Sequence, residues 1–181
     1  MRVISGQYRG RKLREPADNA VRPTTDKVKE SIFNIIQFDI EGRRVLDLFA
    51  GTGQLGIEAL SRGAETAVFV DASNEHVKLV KENLGRAGIE EGAAVIRADA
   101  LDFLSRGEKY DLIFLDPPYE TDLLIKCLNI INQFDILKDN GIIVCESSDK
   151  KELPELSPPY GRYREYRYGK IKITLYVRNA E

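Results

Sequence analysis

The sequence lacks the features that membrane-spanning and secreted proteins depend on. None of its apolar runs approaches the roughly 20 residues that a helix needs to cross a bilayer. Its first stretch, MRVISGQYRGRKLREP, has no apolar centre of the kind found in signal peptides. These absences predict a protein that stays in the cytoplasm. With 181 residues and neither an internal repeat nor a low-complexity linker, the chain is most simply one domain.

Cysteine and histidine are scarce as well. Cys127 falls in a helical pattern and Cys145 in an apolar strand, without C-x-x-C spacing, which predicts reduced core thiols rather than a disulfide or a zinc site. The single histidine, His76, lies in a stretch rich in lysine and glutamate and is interpreted as a solvated surface residue. We therefore expect no metal site.

Positive charge is concentrated near the two ends of the chain, although the net charge is −2. Residues 1–22 hold six basic side chains against two acidic ones, and residues 160–172 hold five against one. Either segment alone could be a solvated face. Tyrosines are interleaved with both segments, which favours a surface that binds a polyanion. These tyrosines are Tyr8, Tyr160, Tyr163, Tyr166 and Tyr168.

From residue 44 onward, short apolar runs alternate with helical patterns. Strands are predicted at 44–49, 67–71, 93–99, 111–116 and 141–146, with a helix over 121–135 before the last of them. This alternation predicts an α/β fold with a mostly parallel sheet covered on both faces. Two further β-like runs flank Gly169-Lys170 and predict an appended antiparallel hairpin. Near the N-terminus, two β-like runs surround Gly6 and Gly10, and Thr25 or Asp26 is the predicted N-cap of a helix.

A glycine-rich stretch follows the strand at 44–49. Gly51-Thr52-Gly53-Gln54-Leu55-Gly56 fits G-x-G-x-x-G, and Asp71 lies 20 residues beyond Gly51 at the end of the next strand. The glycines allow a ligand to approach the backbone, and Asp71 can accept hydrogen bonds from ribose hydroxyls. A tight turn without a ligand is the alternative. The combination of strand, loop, helix and acid favours a nucleoside-containing cofactor.

Asp47 helps to choose between two such cofactors. A dinucleotide places its pyrophosphate at the helix N-terminus, where Asp47, four residues before Gly51, would repel it. S-adenosylmethionine instead carries a sulfonium and an ammonium group, which an acid attracts. Asp99, at the end of the third strand, offers an acceptor for the adenine amino group. We therefore predict S-adenosylmethionine, and an NAD-dependent oxidoreductase is the disfavoured alternative.

The strand at 111–116 ends in Asp116-Pro117-Pro118-Tyr119. Two successive prolines fix the backbone and lack N–H donors. Asp116 and the carbonyl of Pro117 can accept hydrogen bonds from both N–H groups of an exocyclic base nitrogen and aim its lone pair at a methyl donor. Tyr119 offers a surface for base stacking, which is worth roughly 1–3 kcal/mol. The alternative is that Asp116 caps a helix and the prolines merely end a strand.

These motifs together resemble a known family. LDLFAGTGQLGIEALSRGA, FVD, RADA and LDPPY resemble, in that order, the motifs of class I S-adenosylmethionine-dependent methyltransferases. ISGQYRGRKL and RPTTDKVKESIFN are similar to the start of the bacterial 16S rRNA guanine-N2 methyltransferases of the RsmD type, although Tyr8 stands where many members have tryptophan. The resemblance implies a Rossmann-like fold with a mostly parallel seven-stranded sheet, a basic RNA-facing arm over residues 1–24 and a methyltransferase domain over residues 25–181.

The resemblance also implies a function. The expected reaction transfers a methyl group from S-adenosylmethionine to the exocyclic N2 of a guanine in 16S rRNA, either free or within the small ribosomal subunit, and a monomer is expected. The implied cofactor-binding residues are Asp47, Gly51, Gly53, Asp71, Asp99 and Ala100. The implied RNA-contacting residues are Arg9, Arg11, Lys12, Arg22, Thr24 and Thr25.

Two alternatives remain open at the level of sequence. The same chemistry could serve the N6 of adenine or a protein glutamine, although a DNA enzyme normally needs a separate recognition region and a peptide substrate gives no role to two basic segments. The other alternative is a non-catalytic RNA-binding or ribosome-assembly protein on a methyltransferase fold. Such a protein could dispense with Asp116 or the glycines, and this sequence keeps both.

Overall fold

The structure, a computed structural model, describes residues 1–17 and 24–180. It divides into two compact units, residues 1–98 and residues 99 onward. The helices and strands of the first unit are α1 (Asp26–Ile35), β1 (Arg44–Asp47), α2 (Gln54–Ser61), β2 (Thr66–Asp71), α3 (Asn74–Ala87) and β3 (Ala93–Arg97). Those of the second are α4 (Ala100–Leu104), β4 (Tyr110–Leu115), α5 (Leu123–Phe134), β5 (Leu137–Ser148), β6 (Tyr160–Tyr168) and β7 (Ile171–Arg178).

The strands belong to one mixed, seven-stranded sheet. In the first unit the order is β3-β2-β1 and every pairing is parallel, with Val68 opposite both Leu46 and Ala94. In the second unit the order is β4-β5-β7-β6, where β4 and β5 are parallel and the other pairings are antiparallel. The predicted mostly parallel sheet and its C-terminal antiparallel hairpin are therefore confirmed, and Gly169, with φ of 62°, lies in the turn of the hairpin.

Buried apolar strands and capped helices account for the first unit. The middle residues of β1 and β2 are buried on both faces, as expected for parallel strands covered by helices. The side chain of Thr25 caps α1 by accepting a hydrogen bond from the backbone N–H of Val28, so Thr25 rather than Asp26 is the N-cap. Helix α3 ends at Gly88, whose φ of 79° lies in the left-handed region that favours glycine.

The structure differs from the sequence-based expectation at two elements. Helix α4 was not predicted, because its five residues are too short to show a helical period. Strand β5 begins at Leu137, four residues before the predicted start, since backbone pairing of Leu137 with Tyr110 does not require the next side chains to be apolar. Within the described residues, no helix is both long and apolar enough to cross a bilayer.

Candidate active site

The glycine-rich stretch forms the turn between β1 and α2. Gly51 and Gly53 have φ angles of 56° and 81°, and the N–H of Gly53 donates to the carbonyl of Ala50 at 2.7 Å. A Cβ atom at Gly53 would lie 3.1 Å from a methyl carbon of Val80. The positive φ angles favour glycine at both positions, and a Cβ at Gly53 would make a tight contact. Gly51, Thr52 and Gly53 are all buried.

Asp47, the last residue of β1, is only 2% exposed. One carboxylate oxygen accepts a hydrogen bond from the backbone N–H of Gly56 at 3.0 Å. Burial raises the pKa of Asp47 to about 7, and the nearby charge of Asp71 raises it further, whereas the hydrogen bond from Gly56 lowers it. No ion pair neutralises this carboxylate within the described residues. A cation bound beside Asp47 would therefore stabilise its ionised form.

Asp71, at the end of β2, holds two turns together. Its Oδ2 accepts a hydrogen bond from the N–H of Gly51 at 2.9 Å, and its Oδ1 accepts one from the N–H of Ser73 at 2.9 Å. His76 Nδ1 lies 3.2 Å from the same Oδ1, and the His76 side chain is only 24% exposed. The structure thus places His76 against a carboxylate rather than in open solvent. Because a carboxylate accepts about four hydrogen bonds, a ribose that used both hydroxyls on Asp71 would have to displace one of these contacts.

Asn83 is a site residue that the sequence did not reveal. It is fully buried on α3, and its Nδ2 donates to the carbonyls of Thr52 at 2.9 Å and Arg14 at 3.0 Å. Its Oδ1 accepts from the N–H of Arg14 at 2.7 Å. Asn83 therefore links the glycine turn to the N-terminal arm. A polar residue in a helical pattern, 69 residues from Arg14, gives no sequence signal of such a contact.

The N-terminal arm is anchored through its backbone. An antiparallel bridge joins Arg2 to Lys12. The buried carboxylate of Glu58 accepts hydrogen bonds from the N–H groups of Ile4 at 2.9 Å and Ser5 at 3.0 Å. These contacts fix the backbone of the arm on α2.

Gly6 allows the arm to lie directly on the end of α2. A Cβ atom at Gly6 would lie 1.9 Å from the carbonyl oxygen of Ser61, so no other residue fits there. The Ser61 hydroxyl accepts a hydrogen bond from the N–H of Tyr8 at 3.0 Å and donates one to the carbonyl of Ser5 at 2.6 Å. Within the described residues 1–17, the arm is thus a fixed part of the first unit.

The expected RNA-contacting residues fall into three groups. Arg9, Arg11 and Lys12 are exposed on the arm, and none of them forms an ion pair within residues 1–17 and 24–180. Thr24 is buried, and its carbonyl accepts a hydrogen bond from Gln54 at 3.2 Å, while Thr25 caps α1. Arg22 lies outside the described residues.

Asp99 and Ala100 begin the second unit. The Oδ1 atom of Asp99 accepts hydrogen bonds from the N–H groups of Leu101 at 2.9 Å and Asp102 at 3.1 Å, so Asp99 is the N-cap of α4. Its side chain is exposed, and Ala100 is the buried first residue of the helix. The two hydrogen bonds of the cap fix the orientation of the Asp99 carboxylate, and both are accepted by Oδ1 rather than Oδ2.

The Asp116-Pro117-Pro118-Tyr119 turn begins directly after β4, as predicted. Pro117 is buried, Pro118 is exposed, and Asp116 is half-buried. The N-cap of the following helix α5 is Asp122, so Asp116 does not cap that helix.

Tyr119 is held in place by a residue that the sequence did not reveal. Its hydroxyl donates to Oε1 of Glu146 at 2.5 Å, and Glu146 is only 5% exposed on β5. The turn is closed by Thr121, whose hydroxyl donates to the carbonyl of Pro118 at 2.9 Å and whose own carbonyl accepts from Lys151 Nζ at 2.5 Å. These bonds fix the position of the Tyr119 ring before any substrate binds.

The described residues contain no group of histidine, cysteine and acidic side chains that could hold a metal ion. What they contain is a parallel sheet with a glycine turn after its first strand and aspartates at successive strand ends. A later strand ends in Asp-Pro-Pro-Tyr. The fold and these motifs define the class of Rossmann-like, class I methyltransferases.

The chain belongs to the family described as "Conserved hypothetical protein 95", which matches residues 1–177. It is 44% identical over 184 residues to "Putative rRNA methyltransferase YlbH" of Bacillus subtilis, covering 99% of this chain and all of that one. It is 36% identical to "Ribosomal RNA small subunit methyltransferase D" of Escherichia coli strain K12, covering 100% of this chain and 91% of that one.

A solved structure, "Putative methyltransferase yhhF from Escherichia coli", superposes with a TM-score of 0.90 at 34% identity. The superposition covers 100% of this chain and 99% of the other. The class I methyltransferase fold and the resemblance to the rRNA methyltransferases are thereby confirmed over the whole length of the chain.

Proposed function

We propose that this protein transfers a methyl group from S-adenosylmethionine to the exocyclic N2 of a guanine in small-subunit rRNA. The observation that carries the proposal is the rigid Asp116-Pro117-Pro118-Tyr119 turn after β4, whose tyrosine is fixed by Glu146. The similarity to relatives named as rRNA methyltransferases supports the choice of acceptor.

The residues around the glycine turn suit this cofactor. The buried carboxylate of Asp47, whose pKa is raised, would gain from a cationic group, and S-adenosylmethionine has two of them. Gly51 and Gly53 would allow close approach to the backbone, and Asp71 would accept hydrogen bonds from the ribose. Asp99, with Ala100 beside it, would bind the adenine. When bound, the cofactor supplies an electrophilic methyl group.

The residues of the turn would activate the acceptor. The lone pair of an exocyclic base nitrogen is delocalised into the ring, so the nitrogen is a poor nucleophile. Asp116 and the carbonyl of Pro117 would accept hydrogen bonds from its two N–H groups and favour a pyramidal nitrogen. Alignment of that nitrogen with the methyl group supplies much of the acceleration. The Asp116 carboxylate would then accept the proton that the methylated nitrogen releases.

Tyr119 would hold the base during the reaction. The target base must leave its stack, which costs a few kcal/mol, and stacking on an aromatic ring returns roughly 1–3 kcal/mol of that cost. Because the Tyr119 hydroxyl is hydrogen-bonded to Glu146, the ring is already ordered before the base binds. This arrangement lowers the entropic cost of binding.

The basic arm would bind rRNA phosphates. Arg9, Arg11 and Lys12 are exposed on a backbone that is anchored to α2 and α3, so the charges are presented at fixed positions. We propose the arm, residues 1–24, as the RNA-facing segment and residues 25–181 as the methyltransferase domain. The expected protein is a cytoplasmic monomer, and Arg22, Thr24 and Thr25 are proposed as further RNA-contacting residues.

The proposal is tested with methyl-labelled S-adenosylmethionine and three acceptors. These are small ribosomal subunits lacking the modification, naked 16S rRNA and duplex DNA, each digested to nucleosides after the reaction. Label in N2-methylguanosine is the expected result, and the better RNA acceptor tells whether the enzyme acts before or after subunit assembly. Label in N6-methyladenine would agree with the proposed mechanism but would show that the proposed acceptor base is wrong. Cofactor binding without any transfer would favour a peptide substrate or the non-catalytic alternative.

A further inference from the structure

Strand β6 carries an exposed pair of basic and aromatic side chains. It is the last strand of the sheet, and a bulge between Arg162 and Arg164 takes Tyr163 out of the regular pairing with β7. The Tyr163 side chain is 58% exposed, and the Arg164 guanidinium lies 5.3 Å from the centroid of its ring. Arg164 also interacts with the side chain of Tyr166 and forms no ion pair within the described residues.

The pairing register of the strands relates Tyr166, the neighbour of Arg164, to the Asp116–Tyr119 turn. Tyr166 is opposite Ile173 on β7, and Ile173 is opposite Glu146 on β5. Directly opposed residues point to the same face of a sheet, so Tyr166 lies on the face that carries Glu146, the hydrogen-bond partner of Tyr119. Tyr166 and Glu146 are two strands apart, which is about 10 Å.

Three of the other four basic residues of the segment 160–172 have contacts inside the protein, and the fourth, Lys170, is exposed in the turn of the hairpin. Arg162 forms ion pairs with Glu155 and Glu165 at 3.2 Å, and Lys172 is buried and lies 3.7 Å from Glu165. Arg167 donates to the carbonyl of Asp149 at 3.1 Å. Part of the positive charge of the segment 160–172 is therefore engaged in contacts within the protein. Arg164 is the strand residue whose exposed charge lies beside an exposed aromatic ring.

We propose that Tyr163, Arg164 and Tyr166 form a second RNA-contacting surface, which binds the single-stranded nucleotides flanking the target base. This inference rests on the proposed function and adds a substrate contact to it. Aromatic rings on a strand stack with bases regardless of their identity, and a guanidinium binds a phosphate with two hydrogen bonds. Because Arg164 already lies over Tyr163, little side-chain freedom is lost on binding.

A different role for these residues would predict different behaviour. Charged side chains on an edge strand can serve only to prevent pairing with a second sheet. In that case, removal of Arg164 would promote self-association and leave RNA affinity unchanged. The two roles are therefore separable by measuring both quantities in the same variants.

The experiment compares Tyr163→Ala, Arg164→Ala and their combination with wild type. Tyr163→Phe keeps the stacking surface, and Lys126→Ala, which removes an exposed charge from α5, is the matched charge control. Affinity for unmodified small subunits and for naked 16S rRNA is measured by filter binding, kcat/KM by methyl transfer, S-adenosylmethionine affinity by calorimetry, and self-association by sedimentation.

The expected result is a loss of RNA affinity of about tenfold in each alanine variant, corresponding to one lost stacking or phosphate contact. The same loss should appear in kcat/KM, while cofactor affinity is retained and Tyr163→Phe and Lys126→Ala bind like wild type. RNA affinity within twofold of wild type in the combined variant would overturn the inference, whether or not self-association increases. If wild type itself methylates no RNA, the proposed function has failed, and that result is distinct from failure of the variants alone.

Discussion

At the scale of single residues, the organisation of the candidate site depends on buried polar side chains. Asp47, Asn83 and Glu146 are each at most 5% exposed, and each is hydrogen-bonded to the backbone or to another side chain. A buried polar group costs free energy unless it finds such partners. Each of these residues therefore fixes the element that it contacts, and its removal affects a particular turn rather than the whole core.

Asp116 is the residue whose loss should separate chemistry from cofactor binding. Asp116→Ala removes one acceptor for the N–H groups of the base, and we expect kcat to fall by about 100-fold or more. Affinity for S-adenosylmethionine should stay within about twofold of wild type, because the side chain has no assigned contact with the cofactor. Single-turnover methyl transfer and calorimetry measure the two quantities. Loss of cofactor binding instead would show that Asp116 has been given the wrong role.

Asp47 should make stability and cofactor binding depend on pH. Its pKa is about 7 when folded and near 3.8 when unfolded, so between these values the folded protein binds more protons. The free energy of unfolding should therefore fall as pH rises from about 4 to 7, by on the order of 4 kcal/mol at most. Affinity for the cationic cofactor should rise over the upper part of the same range, because ionised Asp47 attracts it.

The control for this effect is Asp47→Asn, which cannot titrate. Urea denaturation at pH 5 and pH 8 should show a smaller decrease in the free energy of unfolding for Asp47→Asn than for wild type. Cofactor affinity should be weaker than in wild type at pH 8 and flat with pH. An identical pH dependence in both proteins would mean that another group titrates.

At the scale of elements, the Phe69 ring of β2 packs directly against the backbone of α2 at Gly56. A Cβ atom at Gly56 would lie 2.3 Å from a ring carbon of Phe69, which is fully buried. Gly56 thus sets the helix-to-strand distance, and with it the position of the glycine turn at the start of the helix. This role belongs to the third glycine of the motif, whereas Gly51 and Gly53 supply backbone conformation.

Gly56→Ala should destabilise the protein despite the better helix propensity of alanine. Overpacking against Phe69 is expected to cost about 1–3 kcal/mol. Gly85→Ala is the matched control, because Gly85 lies in α3 with no atom within 4 Å of the added Cβ, and it should stabilise by about 0.5–1 kcal/mol. Urea denaturation at one pH measures both. Equal effects of the two substitutions would contradict the close approach as the cause.

The arm depends on one buried carboxylate of α2. Glu58 accepts the N–H groups of Ile4 and Ser5, pairs with Arg62 at 2.9 Å, and lies 3.7 Å from the buried Nζ of Lys29. Glu58→Gln removes the ion-pair partner of the buried Lys29, which keeps only its hydrogen bond to the carbonyl of Arg2, and should cost roughly 3 kcal/mol or more. It should also speed hydrogen exchange at the amides of Ile4 and Ser5.

The matched control for Glu58→Gln is Glu82→Gln. Glu82 forms ion pairs with Arg14 and Arg86 at the surface, so little change in stability is expected there. If Glu82→Gln released the arm as much as Glu58→Gln does, the buried carboxylate would not be its anchor.

At the scale of the whole molecule, charge is segregated. The chain has a net charge of −2, yet residues 1–22 and 160–172 are both basic, so attraction for a polyanion is restricted to parts of the surface. The arm is held by backbone hydrogen bonds, which leaves the side chains of Arg9, Arg11 and Lys12 exposed to solvent.

RNA affinity should therefore depend steeply on salt, and the arm should supply a measurable part of that slope. Each phosphate contact contributes about 0.7–0.9 to the slope of log K against log salt. Replacing Arg9, Arg11 and Lys12 by alanine should lower the magnitude of the slope by about 2–3, while replacing Lys78, Lys81 and Lys126 should leave it unchanged. Filter binding across a salt series measures both triple variants. An unchanged slope of log K against log salt in the arm variant would show that the arm has a structural role and does not bind RNA phosphates.

Local patterns in the sequence were sufficient to predict most elements and the places where strands end. The apolar runs predicted the five strands from β1 to β5, and Gly169 predicted the hairpin turn, because strand burial and turn conformation are local properties. Helix α4 and the first residues of β5 were missed, since neither has a distinctive apolar period. The environment of His76 was missed too, because its contact with Asp71 depends on the turn between β2 and α3.

The sequence by itself determined the order of the strands and of the longer helices, the glycine turn and the motif at the end of β4, since each is set by neighbouring residues. Only the tertiary structure decided that Asn83 joins the arm to the glycine turn, that Glu58 anchors the arm, and that Glu146 holds Tyr119. These pairs are separated by 27 to 69 residues. Their contacts arise only when packing brings distant elements together, and burial then makes each hydrogen bond obligatory.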